Sequence, residues 1–333
     1  MNYNSVGFLD MIVSRIGLGC LHFDKAENPE AIVNMALDNG INYIDTARAY
    51  GRSEQLIGRV MKSRRNECYL ASKVIKRSKA KAIIDINTSL NNLSTDMIDV
   101  YCCHAVSTKA HYSRVINDNG ALGALEDAKR DGKIRYTGIS THDVNIAIQA
   151  ICDGYFDVIM IPVNIVDLDF VMKVIPVARQ YTMGIIGMKA LTGGAFIYPD
   201  IAINYALAQD TDTQLIGVKS VAELEQDIAI AESFEGLSED AENKLLEEAK
   251  ILGKDFCRQC GYCLPCTVGI DIPKVFLYER DAKRYYAEPF AKERYVKLDK
   301  NATDCIKCGK CEKRCPYELP IREKLINVHK LLG

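Results

Sequence analysis

The 333-residue sequence contains no apolar run of transmembrane length, so nothing in it predicts a membrane span. No segment carries an extended run of one charge sign, and the formal net charge is only −2. Composition therefore gives no support for nucleic acid or an anionic membrane surface as a partner. The opening stretch, MNYNSVGFLDM, lacks the basic region and apolar core of a secretory signal, which predicts a cytoplasmic protein. A paired disulfide framework is missing as well. Of the thirteen cysteines, five are scattered (Cys20, Cys68, Cys102, Cys103, Cys152) and eight follow residue 256. An odd, scattered set in an unsecreted chain argues for free thiols and metal ligands.

What the chain does have is a repeated unit of short apolar run, polar turn and amphipathic helix. The runs are Arg15–Cys20, Asn42–Thr46, Cys68–Lys73, Met97–His104, Tyr136–Ser140, Val158–Asn164, Gly184–Ala190 and Gln214–Lys219. Near-continuous apolar strands belong to a parallel sheet covered on both faces. Asn28–Pro29 opens a helix that Gly40 closes, and Gly132 and Gly154 close two others. Strand–helix units recurring every ~25–35 residues predict an α/β chain folded as a (β/α)8 TIM barrel. The residues before Arg15 are expected to form a small cap beneath it. Residues 1–237 are assigned to the barrel and 257–333 to a cysteine domain. Residues 238–256 make a connector helix with apolar Ala241, Leu245, Leu246, Ala249 and Leu252 at helical spacing.

The most informative stretch is Gly40–Glu54, GINYIDTARAYGRSE. A helix stops at Gly40, a short apolar strand follows, and a polar loop carries Asp45, Tyr50, Ser53 and Glu54. A carboxylate at the exit of a buried strand needs partners, and strand ends feeding loops are where α/β scaffolds keep their chemistry. The barrel mouth would gather Asp45 and Tyr50 with Lys73 and His104, each at a strand end. That set suits carbonyl reduction, in which hydride arriving at carbon leaves charge on oxygen that a proton must quench. A free tyrosine, with a pKa of about 10, is a reluctant acid at neutral pH. A neighbouring Lys73 would favour its phenolate, Asp45 would hold the lysine, and His104 would donate a hydrogen bond to the carbonyl.

Asp45–Glu54, DTARAYGRSE, resembles the aldo/keto reductase family, whose signature reads D-T-A-x-x-Y-G-x-S-E. The resemblance covers roughly residues 6 to 235. It implies Tyr50 as general acid supported by Asp45, Lys73 and His104, a small carbonyl or alcohol substrate, and NAD(H) or NADP(H) as cofactor. The implied cofactor contacts are Gly19, Cys20, Asp45, Ser140, Met160, Met188, Lys189, Leu191, Val218, Lys219, Glu223 and Asp227. Around the nicotinamide the chain departs from the family at three places. Thr141-His142 follows Ser140 where an Asn is usual, Met160 stands where a Gln commonly holds the carboxamide, and Met188 where an aromatic often stacks on the ring. Gly217-Val218-Lys219-Ser220 leads into a helix N-terminus, a natural phosphate seat. Glu223 stands where many relatives read the 2′-phosphate with Arg, and Gln226-Asp227 where they close with Glu-Asn. A carboxylate there repels a 2′-phosphate and accepts from ribose hydroxyls, which predicts NADH unless Lys219 takes over the phosphate. Cys20 and His22 are expected to line the substrate pocket. Cys102 and Cys103, adjacent on one strand, should face opposite ways as small buried thiols.

The eight late cysteines read Cys257-x2-Cys260-x2-Cys263-x2-Cys266 and Cys305-x2-Cys308-x2-Cys311-x3-Cys315-Pro316. The second is the bacterial ferredoxin run in full, and the first shortens its last gap by one. Zinc, the rival, usually takes its ligands as two separated pairs. Residues 274–300 look helical, and the region resembles the α-helical ferredoxins. That resemblance implies two [4Fe-4S] clusters held by all eight cysteines. It also implies crossed ligation: Cys257, Cys260 and Cys263 with Cys315, and Cys305, Cys308 and Cys311 with Cys266. Residues 257–333 carry sixteen Lys and Arg against ten Asp and Glu, a basic surround for anionic clusters. Three readings stay open from the sequence. The chain is a nicotinamide-dependent reductase whose clusters exchange electrons with a protein partner, a ferredoxin-linked or flavin-dependent reductase without nicotinamide, or a non-catalytic electron-transfer or sensor subunit. The intact set Asp45, Tyr50, Lys73 and His104 argues against the last.

Overall fold

The structure, a computed structural model, describes residues 1–253, 255–284 and 288–333, the side chain of Arg284 excepted. Residues 285–287, part of the stretch expected to be helical between the cysteine runs, lie outside the described residues. The chain forms two compact units, one of residues 1–191 and 198–246, the other of residues 192–197 and 247–333.

The first unit opens with an antiparallel hairpin, β1 (Tyr3–Ser5) and β2 (Ile12–Ser14). Eight parallel strands follow: β3 (Ile16–Gly19), β4 (Tyr43–Asp45), β5 (Tyr69–Val74), β6 (Ile98–Cys103), β7 (Ile134–Ser140), β8 (Val158–Pro162), β9 (Gly184–Met188) and β10 (Thr213–Gly217). They pair in chain order, and β10 pairs back on β3 to close a barrel. Each overlaps its expected apolar run; β5 ends one residue beyond it, and β7 and β10 begin two and one residues before it. The helices around them are α1 (Pro29–Asp38), α2 (Ser53–Arg64), α3 (Lys79–Leu93), α4 (Lys109–Ile116), α5 (Ala121–Arg130), α6 (Val144–Asp153), α7 (Ile175–Gln180), α8 (Pro199–Ala208) and α9 (Val221–Glu232). A further helix, α10 (Glu239–Leu252), covers most of the expected connector.

Local signals explain the helix ends. The Asn28 side chain accepts from Ala31 N with Pro29 in the first turn, and the Asp143 side chain accepts from Ile146 N at the start of α6. Gly154 ends α6 in the left-handed conformation, a position where glycine has no Cβ to clash.

Strand alternation sorts the core into two layers. Ile16, Leu18, Ile44, Leu70 and Cys103 turn outward beneath the helices. Tyr43, Ala71, Val100, Cys102, Met160 and Ile186 fill the barrel interior, together with Val6, Met11 and Val13 from the hairpin. Cys102 and Cys103 thus face opposite ways as expected. The thiol of Cys102 occupies the space over Gly138, where a Cβ would lie 2.4 Å from its sulfur. The hairpin caps the end where the strands begin. Gly7, at φ +49°, sits so close to Thr182 that a Cβ would come 2.6 Å from its carbonyl oxygen.

The second unit is mainly helical, with α11 (Ile272–Arg284), α12 (Glu288–Val296) and α13 (Ile321–Leu332). Its core joins Val275, Phe276, Tyr295, Leu325 and Val328 to two of the cysteines, Cys263 and Cys311. Residues 192–197 are fastened within this unit. Arg280 Nη1 donates to the carbonyls of Gly193 and Gly194 at 2.8 Å each, and Ile197 N donates to Glu248 Oε1. No described helix in either unit is long and apolar enough to cross a membrane.

Candidate active site and cluster cavities

The same alternation that puts Tyr43, Ala71 and Cys102 inside the barrel puts Asp45, Lys73 and His104 one step nearer the strand ends, also facing inward. Register fixes their heights, since Asp45 pairs with Ala71 and Lys73 with Cys102. Lys73 and Asp45 are almost wholly buried, and Lys73 Nζ donates to Asp45 Oδ2 at 2.5 Å and to Thr46 O at 2.8 Å. Tyr50, from the loop after β4, brings its ring centroid to 5.1 Å from Lys73 Nζ. It meets the His104 ring edge-on at 5.6 Å between centroids. All four expected residues therefore meet at one mouth.

The electrostatics separate their roles. Burial pushes the Asp45 carboxyl above its ordinary value, and the Lys73 ammonium opposes that push. Burial, then the positive charge of Lys73, holds His104 well below 6.5. Its imidazole is neutral at pH 7, able to donate one hydrogen bond but a poor proton source.

The rest of the signature frames the loop. Glu54 is buried; its Oε1 accepts from Ser72 Oγ at 2.7 Å and Ser89 Oγ at 2.6 Å, and its Oε2 from Arg48 Nη1 at 2.5 Å and Asn92 Nδ2 at 3.1 Å. Arg48 lies between Asp45 and Tyr50, so this buried carboxylate pins the turn that presents the phenol. Thr46 Oγ1 donates to Ser53 Oγ, which donates to Cys20 O, fixing the same turn from the other side. Arg77, which sequence reasoning passed over, donates from Nη2 to the His104 and Ala105 carbonyls at 2.6 and 3.1 Å. It steadies a bend where Ala105 has φ +51°, in the left-handed region that costs a residue with a Cβ about 1–2 kcal/mol.

The expected cofactor contacts divide into three groups. Ser140 lies at the mouth, its Oγ accepting from Ala105 N at 2.8 Å, and Met160 and Met188 pack with the interior cluster. Gly19 pairs with Gly217 across β3 and β10, leaving a strip of bare backbone at the mouth. Beyond it, the Ser220 side chain caps α9. The side chains of Cys20 and Val218 are buried in the strand–helix layer with Leu18 and Phe23. Leu191 packs against the same layer, and Lys189 is half-buried with φ +65°. Glu223 Oε2 accepts from Lys219 N at 2.6 Å, so a carboxylate already occupies a donor that a phosphate would use. Behind it Asp227 is buried, and burial together with the neighbouring Glu223 pushes its carboxyl up to about 7.

His22 reveals a feature that motif reading missed. Burial and then three lysines, Lys219, Lys25 and Lys189, drive its imidazole down to about 4. Those lysines come from three different loops and give the mouth a cationic side suited to a phosphate-bearing ligand. His142 is buried nearby, held well below 6.5 by burial and by Lys189. The only sequence signal for it was the departure from Asn after Ser140.

In the second unit the eight cysteines fall into two cavities. One is lined by Cys257, Cys260, Cys263 and Cys315 with Ile272, Phe276 and Leu319. The other is lined by Cys266, Cys305, Cys308 and Cys311 with Val268, Ile270 and Leu325. Each cavity thus takes three cysteines from one run and the fourth of the other. Among the described residues no three thiol, imidazole or carboxylate groups converge on a point that would hold one metal ion. Each set of four thiols suits a polynuclear iron–sulfur cluster. Peptide and hydroxyl groups approach the sulfurs. Gln259 N donates to Cys257 Sγ at 3.4 Å, and Thr267 Oγ1 lies 3.5 Å from Cys308 Sγ. Arg258, buried beside the first cavity, is stacked between the rings of Phe256 and Tyr317.

Comparisons with known proteins agree with both halves. A sequence model of the aldo/keto reductase family matches residues 15–199, and one of a 4Fe-4S dicluster domain matches residues 256–320. An uncharacterized oxidoreductase of Bacillus subtilis (strain 168), YqkF, is 33% identical over 161 residues, which is 44% of this chain and 51% of that protein. L-galactose dehydrogenase of Arabidopsis thaliana is 23% identical over 291 residues, 72% of this chain and 90% of that one. The chain spans about half the length of YqkF and 59% of that of aldo-keto reductase YhdN of the same bacterium. The holo form of aldo-keto reductase AKR11C1 from Bacillus halodurans shares the fold, with a TM-score of 0.62 at 22% identity over 76% of this chain and 96% of that one.

Proposed function

The chain belongs to the aldo/keto reductase family and carries a 4Fe-4S dicluster domain, and from that premise we propose that it interconverts a small carbonyl compound and its alcohol with Tyr50 as proton donor. The observation that carries this reading is the buried Lys73–Asp45 pair lying against the Tyr50 ring. A nicotinamide, when bound, supplies the hydride to the carbonyl carbon. The phenol of Tyr50 gives its proton to the carbonyl oxygen, and the Lys73 ammonium favours the phenolate left behind. Asp45 keeps that ammonium in place. His104, neutral, donates a hydrogen bond that orients the substrate oxygen and does not compete as acid.

The residues at the mouth fit a dinucleotide. The bare backbone of Gly19 and Gly217 allows close approach, and Lys25, Lys189 and Lys219 favour its phosphates. Glu223 over Lys219 N disfavours a 2′-phosphate, so NADH is the cofactor of choice. In the second unit, Cys257, Cys260, Cys263 and Cys315 would hold one [4Fe-4S] cluster, and Cys266, Cys305, Cys308 and Cys311 the other. Clusters of this kind supply one-electron steps.

The test uses anaerobically purified protein, NADH and 4-nitrobenzaldehyde as the probe carbonyl. Tyr50→Phe should lose about 10²–10⁴ in turnover while NADH titration curves stay unchanged, because only the proton donor is gone. Undiminished turnover by this variant contradicts the assignment.

A further inference from the structure

The two cysteine runs differ in what they show to solvent. The only charged residue of the first, CRQCGYCLPC, is Arg258, and it is buried. The second, CIKCGKCEKRC, carries Lys307, Lys310, Lys313 and Arg314 against Glu312. Its three lysines are exposed, and so is Cys308 between Lys307 and Lys310. Beside them Ile306 is 60% exposed, an apolar side chain of the size that anchors small interfaces. The nearby carboxylates are already engaged: Asp304 bonds Lys300 at 3.0 Å, and Glu312 bonds Arg322 at 2.7 Å. Among the described residues Lys307, Lys310 and Lys313 make no ion pair.

We propose that the face formed by Ile306, Lys307, Cys308, Lys310 and Lys313 docks a small acidic one-electron carrier protein of the flavodoxin or ferredoxin kind. The proposal rests on reading the eight cysteines as ligands of two clusters. Cys257, Cys260, Cys263 and Cys315 are buried or half-buried and the first run shows no charge to solvent, whereas Cys308 is exposed. Electron exchange falls off with distance, so a carrier must approach the exposed thiol. Each docking then passes one electron, the carrier being oxidised as this unit is reduced or the reverse, and no atom is transferred. Three unpaired lysines around that thiol repel a cationic carrier and steer an anionic one.

The experiment uses the full chain, purified anaerobically, with oxidised flavodoxin as the acidic probe and cytochrome c as the basic one. Binding is measured by biolayer interferometry over a series of salt concentrations. The parent should bind flavodoxin with an affinity that falls as salt rises. Replacing all three lysines by Glu should weaken it at least about tenfold and flatten the salt dependence, and replacing them by Gln should do so by less. Iron, sulfide and the visible spectrum should not change in either variant. Flavodoxin binding that the Glu variant retains overturns the docking face, as does a parent that prefers cytochrome c or a single-stranded oligonucleotide at the same salt. A parent lacking iron and sulfide contradicts the cluster reading instead, so the two failures are told apart.

Discussion

The barrel mouth and the cysteine unit solve the burial of polar groups in opposite ways. At the mouth, the charges that matter are paired by the protein itself: Lys73 with Asp45, and Glu54 with Arg48, Ser72, Ser89 and Asn92. They are set in a barrel whose two apolar layers close without any ligand. In the second unit, thiols are part of the core, with Cys263 and Cys311 standing among Val275, Phe276 and Leu325. Its cysteine side chains point at cavities, not at one another. The first region should therefore hold its shape when empty, and the second should depend on what fills it.

The largest effect should come from removing the metal. Anaerobic chelation of iron is expected to abolish hydrogen-exchange protection in α11 and α13 while the strands of the barrel keep theirs. Equal loss in β5 and β6 would show that the contrast is wrong. Next in size is Lys73→Met, which leaves Asp45 as a buried carboxylate without its counter-ion. Breaking such a pair costs about 3–5 kcal/mol, read as a lowered denaturant midpoint, and adding Asp45→Asn should restore part of it.

A smaller effect concerns cofactor choice. Glu223→Arg removes the carboxylate over Lys219 N and should shift binding toward NADPH by about tenfold in fluorescence titrations. No change in the ratio would exclude Glu223 as the selecting residue. The smallest is a pH effect at Asp227. Its carboxyl is raised to about 7 by burial and Glu223, above the unfolded value of about 3.8. A carboxyl raised in this way contributes stability at low pH that is lost as pH climbs through 7. Asp227→Asn, which never ionises, should therefore match the parent near pH 4 and become the more stable of the two by pH 8. The slope between is at most about 1.4 kcal/mol per pH unit.

The sequence made the fold legible because strand period and buried apolar runs are local properties, and eight of them in alternation with helices admit few closures. The four residues of the mouth were readable for the same reason, since Asp45, Lys73 and His104 sit at the ends of runs and Tyr50 in the loop that follows one. Arg77 was not, because its role is to bond two carbonyls beyond β6, a partnership with no periodic trace. Lys25 was hidden too, because only the fold brings it to His22 beside Lys189 and Lys219. For Cys20 and Val218 resemblance assigns positions only, whereas the turn of one strand residue decides whether a side chain faces the mouth or the helix layer. Spacing alone could not say how two cysteine runs share two cavities. That depends on where helices α11 and α13 bring the runs together.

That sharing ties the two cysteine runs into one unit. The decisive measurement is hydrogen exchange on anaerobically purified Cys315→Ala. Crossed ligation predicts lost protection around Cys257, Cys260 and Cys263, with residues near Cys305, Cys308 and Cys311 still protected and about half the iron gone. Lost protection confined to the stretch from Cys305 to Cys311 would contradict it.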